Sequence, residues 1–151
     1  MRVFESLAEL AACVGEEVAV SDWVEVSQQR IDAFAEATGD HQWIHVDPVR
    51  AAEGPFGTTI AHGYLTLSML PMLMQGAIEL RGVRMSVNYG LERVRFPAPV
   101  PAGSRIRARF RVAKVEEIGN GGLQIVTEAT VEREGGDKPV CIAQTVARRY
   151  P

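Results

Sequence analysis

Beyond Gly82 the chain is a succession of long alternating segments, about 84–95, 104–117, 122–134 and 139–149, separated by "PAPVPAG", "GNGG" and "GGDK". In "RIRARFRVAKVEEI" and "LQIVTEATVERE" apolar and polar residues take turns. A period of two marks an antiparallel strand with one face in a core and the other in water. Long strands with short separators predict a meander. Such a sheet needs a cover for its apolar face, and the cover lies upstream. "HGYLTLSMLPMLMQ", His62 to Gln75, is apolar nearly all round and reads as a buried helix. Pro71 should kink it or mark a change of turn. One buried helix and one long antiparallel sheet predict an α+β arrangement, with the sheet wrapped around the helix. A lone chain of this kind leaves a sheet edge unpaired, which invites pairing with a second copy.

The chain has 151 residues, 46% of them hydrophobic, enough for a single domain spanning 1–151 with a real core. Its net charge is -3, and the arginines are scattered among acidic residues, so no nucleic-acid partner is expected. The longest apolar run, Tyr64 to Met74, falls short of the roughly 20 residues of a membrane span. Glu5 and Glu9 interrupt an Ala-rich start, which is unlike a signal peptide. Cys13 and Cys141 lack metal-ligand spacing and read as free thiols. A cytoplasmic protein is the expectation. No internal repeat is visible.

The first half is helix-rich and carries all three histidines. Val18 to Val26 reads as an extended segment that two short strands could fill. Ser27 is placed as an N-cap, and Ile31, Phe34, Ala35 and Thr38 share a helical face. Gly39 ends that helix. Asp47 and Pro48 restart a short one, as N-cap and first helical residue, running to about Glu53.

Between these helices lies "GDHQWIHVD", Gly39 to Asp47. His41 and His45 with Asp47 could suggest a metal site. However, Gly39 has ended one helix and the pre-proline position of Asp47 delays the next, so the pair falls in a loop where four-residue spacing carries no geometry. No metal is expected. Asp40 and His45 could instead meet at one mouth, where a carboxylate and an imidazole can activate water and return a proton. Equally, Asp40 could bond turn amides and His45 could cap a helix. His41 reads as an exposed loop residue and Trp43 as packing. Gly63 stands at the start of the buried helix, where free amides and the positive dipole end could receive a developing oxyanion. It could also serve only to let the helix pack closely.

"TGDHQWIHVDPVRAA" followed by "FGTTIAHGYLTLSML" resembles the MaoC-like family, the (R)-specific enoyl-CoA hydratases and dehydratases of the hot-dog fold. The family's motif runs Gly-Asp-x-Asn-Pro-aliphatic-His. Here Gly39, Asp40, Ile44 and His45 match it, while Gln42 and Trp43 replace the usual Asn and Pro. Ala61-His62-Gly63 and "YGLERVRFPAPVPAG" follow in the family's order, so the resemblance covers most of the chain. It implies reversible syn addition of water to a trans-2-enoyl thioester, giving the (3R)-hydroxyacyl product. Asp40 and His45 would handle the water, and the Gly63 amide would bind the thioester oxygen. Gln42, Trp43, His62 and Tyr64 would be substrate contacts. The acyl chain would lie in an apolar tunnel near the central helix. The substrate would be an acyl-CoA or acyl-carrier-protein thioester and the assembly a homodimer. No cofactor would be needed, because the thioester acidifies C2. A hot-dog thioesterase and a non-catalytic acyl-binding subunit are the rival implications.

Overall fold

The computed structural model describes Met1–Pro151. Its elements in order are β1 (Arg2–Phe4), α1 (Leu7–Ala11), β2 (Glu17–Val20), β3 (Val24–Val26), α2 (Gln28–Thr38), α3 (Trp43–Val46), α4 (Pro48–Ala52), α5 (Gly63–Ser68), α6 (Leu70–Ala77), β4 (Ile78–Leu80), β5 (Met85–Arg95), β6 (Ser104–Glu117), β7 (Leu123–Arg133) and β8 (Cys141–Tyr150). The long antiparallel sheet runs β2-β6-β7-β8-β5, with β3 also on β6. A small parallel pair, β1 with β4, ties the N-terminus to the end of α6.

The alternating segments become strands because each contributes one apolar face. On β6, Ile106, Ala108, Phe110 and Val112 are buried, while the arginines between them point outward. Arg105, Arg107 and Arg109 pair there with Glu134, Glu132 and Glu17. The buried residues face Leu65 of α5, Met69 between the helices, and Leu70 and Leu73 of α6, and together they form one core cluster. The central helix does change course near Pro71. α5 ends at Ser68, and α6 starts at Leu70 with the proline in its first turn, where a missing N–H costs nothing.

Two expectations need correction. The meander holds for β6, β7 and β8 only, because β5 pairs with β8 at the opposite edge from β6's partners β2 and β3. The seven residues of "PAPVPAG" make this possible. Extended, they reach about 23 Å, against about 14 Å for the three strand spacings from β5 to β6. In crossing, this segment bonds to the chain ahead of α5: the Ala61 N–H donates to the Val100 carbonyl, and Ala102 to Thr59. Secondly, the helix that is apolar all round is buried on one face only. Tyr64 is 70% exposed and Met72 40%.

Leu73, 2% exposed at the heart of this packing, is a test of it. Leu73→Ala should destabilise the fold by about 2–5 kcal/mol, read as a lower urea midpoint at unchanged slope.

Candidate active site

Local rules place the site loop. Ser27 caps α2 by accepting from the Arg30 N–H, and Gly39 ends it in the left-handed region at φ 80°. Asp47 caps α4, its Oδ1 accepting from the Arg50 N–H at 3.0 Å. Between the two, His45 lies not in open loop but in the one-turn helix α3, with Gln42 as its cap residue. That turn carries the imidazole inward.

The structure brings Asp40, His45 and His62 together, with one side-chain ligand atom from each inside a 4.8 Å cluster. His45 is 7% exposed and His62 3%, whereas Asp40 lies at the surface. The two imidazoles stack at 3.9 Å, and Phe34 flanks His62 at 5.0 Å. A backbone carbonyl can only accept, so the 2.7 Å contact of His45 Nδ1 with the Ile60 carbonyl puts the proton on Nδ1. The Nε2 lone pair is left free. By the same logic His62 Nε2 donates to the Asp40 carbonyl at 3.0 Å. His62 Nδ1 then remains a buried, unpartnered acceptor. Burial holds the His45 pKa below its ordinary value of 6.5. The Ile60 carbonyl pulls the other way, the nearby His62 lowers it further, and the Asp40 charge raises it.

The remaining anticipated residues sit around this cluster. The Gln42 N–H donates to Asp40 Oδ1 at 3.3 Å. Trp43 rests against Gly54, with the Arg50 guanidinium 4.3 Å above its ring. Tyr64 stands edge-on to Phe96. His41 stays outside, 3.5 Å from Glu36. Gly63 opens α5, so its amide has no partner within the helix. A Cβ there would meet the Phe96 ring at 2.8 Å, so Gly63 is also a close-packing residue.

Two supporting residues escaped the sequence reading. The Gln28 amide donates to the His45 carbonyl at 2.8 Å and accepts from the Thr59 hydroxyl, tying α2 to both loops. Phe96, between the end of β5 and the crossing segment, roofs Gly63. No local signal marks either, since both act across long stretches of chain.

Two cavities adjoin the central helix, and neither is lined by Asp40, His45 or His62. A cavity of about 310 Å³ lies at Gly63, Thr66, Phe96 and Val100. A larger one, about 690 Å³, begins one turn further along α5 at Leu67 and Ser68 and runs between the central helix and strands β5 and β8.

Two outcomes are expected. Gly63→Ala should lower the melting temperature, and shortening the roof with Phe96→Leu in the same chain should recover much of the loss. The depressed pKa of His45 has its own signature. The unfolded chain takes up this proton near pH 6.5 and the folded chain only at lower pH. Stability is therefore full above that value and falls as pH drops below it. Melting scans from pH 7.5 downward should show this decline, and His45→Gln should flatten it.

The comparisons accord with this geometry. The model of the MaoC like domain matches residues 9–134. The 3-hydroxyacyl-thioester dehydratase Z of Mycobacterium tuberculosis is 57% identical over 148 residues, covering 98% of each chain. The solved monoamine oxidase regulatory protein from Archaeoglobus fulgidus superposes with a TM-score of 0.80 at 26% identity, over 99% of this chain and 97% of that one. The (R)-hydratase from A. caviae involved in PHA biosynthesis superposes at 0.68 and 21% identity, over 90% of this chain and 97% of that one, a likeness of fold. The long sheet around a central helix is thus the hot-dog fold, and the chain belongs to the MaoC-like dehydratase family.

Proposed function

We propose that this protein is an (R)-specific hydro-lyase, adding water reversibly to trans-2-enoyl thioesters and removing it from (3R)-hydroxyacyl thioesters. The observation that carries this reading is the free Nε2 of a buried His45, its tautomer set by the Ile60 carbonyl, beside the Asp40 carboxylate. A water held between the two loses a proton as its oxygen attacks C3. Negative charge moves to the thioester oxygen, which the Gly63 amide receives. One member of the pair returns the proton to C2 from the same face, so addition is syn. Because burial lowers the His45 pKa, the ring is neutral at physiological pH and able to accept a proton. The relative at 57% identity bears the name of a thioester dehydratase, which supports the same direction of chemistry.

The acyl chain occupies the larger cavity, beyond the turn that carries Gly63. The thioester is carried by CoA or an acyl-carrier protein, with phosphate groups met by arginines at the mouth. The active assembly is a homodimer. The edge strand β5 presents Met85, Val87, Tyr89 and Leu91, each between 41% and 57% exposed, beside the half-exposed central helix. Pairing of two β5 edges would bury both surfaces and close the cavity's open side. Sedimentation should give twice the chain mass, and a fully active monomer would contradict the arrangement.

The test of the function is loss of enone absorbance on a panel of trans-2-enoyl-CoA esters. Asp40→Asn and His45→Gln should each lower turnover by roughly 10²–10⁴-fold, and the double variant by less than the product of the two. Near-native turnover in either folded single variant would remove the assignment. Release of free thiol, instead of loss of the enone, would indicate a thioesterase.

A further inference from the structure

The far end of the larger cavity holds a group that hydration chemistry does not use. Arg149, on β8, points to the concave side beneath α6, where its Nη2 lies 3.2 Å from the Met74 sulfur. Its Nε is fully shielded and has no hydrogen-bond partner. Arg149 forms no ion pair, as is true of several exposed arginines, but it alone among the arginines has a shielded side-chain nitrogen without a partner. Arg84 lines the same end, and no acidic residue lines the cavity anywhere. Burial lowers the Arg149 pKa and no neighbouring charge offsets it. A guanidinium nevertheless stays protonated in a protein, so the pocket keeps a positive charge between walls of mixed apolar and neutral polar residues. A half-buried charge with a shielded, unpartnered Nε is a cost to the fold. A fold that needed only packing there would be better served by methionine or leucine.

We propose that Arg149 is a specificity-determining residue that receives a carboxylate at the distal end of the acyl chain, so that the favoured substrates are ω-carboxy-2-enoyl thioesters. This rests on the hydro-lyase reading and on the acyl chain lying in the larger cavity. The geometry also gives a length. Eleven residues separate Gly63 from Met74, and at 1.5 Å per residue they cover about 16 Å of helix, which an extended acyl chain of about ten carbons spans once contacts at both ends are allowed for. Guanidinium and carboxylate match as a forked pair, and the polar Ser86 and Asn88 of β5 line the same end.

The experiment compares three thioesters: trans-2-decenedioyl mono-CoA, with its free carboxylate, the methyl-ended trans-2-decenoyl-CoA, and crotonyl-CoA. The wild-type kcat/KM should favour the carboxylate-ended substrate over the methyl-ended one by about 10–100-fold. Arg149→Met should abolish that preference, leave crotonyl-CoA turnover unchanged and raise the melting temperature of the free protein. Equal or better use of the methyl-ended chain by the wild type would overturn the proposal; this is also the result expected if a carboxylate of the second subunit already pairs with Arg149. The wild-type comparison requires no variant to fold. Calorimetry with decanedioate separates the two readings. Arg149-dependent binding without hydration of any of the three thioesters would keep the anion site and reject the hydro-lyase. Hydration of crotonyl-CoA with no carboxylate preference would reject the anion site alone.

Discussion

The carbonyl of Ile60 is the point on which the site depends. It accepts from His45 Nδ1 at 2.7 Å, while the N–H of the same residue donates to the Ile44 carbonyl at 3.0 Å. Ile60 also forms a bridge with Pro101 of the crossing segment. One residue thus joins the histidine loop, the approach to α5 and the connection from β5 to β6. A buried carbonyl left without a donor would cost about 1–3 kcal/mol, so the pairing that satisfies the backbone also settles which imidazole nitrogen keeps its lone pair. His62 and Gln28 extend the same logic. The first ties the backbone of Asp40, and the second ties the carbonyl of His45. The geometry of the candidate site is a by-product of hydrogen-bond satisfaction in two loops that cross at the N-terminal end of a helix.

Surface chemistry divides the sheet in a way that fits a paired assembly. The convex face of β6 is covered by arginine–glutamate pairs, which suit water. The β5 edge and the outer side of α5 and α6 are apolar and uncovered. These two uncovered surfaces adjoin the larger cavity, so a second chain seated on them would also cover the cavity.

Much of this was legible in the sequence where the physics is local. Ser27, Gly39, Asp47 and Pro48 announced helix ends because a cap depends only on its nearest neighbours, and each is found in that role. The alternation of β6 and β7 was legible for the same reason. The placement of β5 was not, because strand order depends on where a proline-rich connection leads and not on the strand itself. The one-turn helix α3 was hidden because four residues are too few to show a period. The Asp40–His45 relationship emerged from spacing and family likeness together. The stacking of His62 on His45, the roof formed by Phe96 and the seat of Arg149 depend on residues distant in sequence and appear only in the fold.

The tautomer of His45 tests the central claim most directly. Nitrogen NMR of isotopically labelled imidazoles distinguishes a protonated Nδ1 from a protonated Nε2 and follows each ring through its titration. The geometry predicts that neutral His45 carries its proton on Nδ1 and titrates with a midpoint below 6.5. A proton on Nε2, or a midpoint above that value, would contradict the account, because the lone pair would then face Ile60 and no base would face the water.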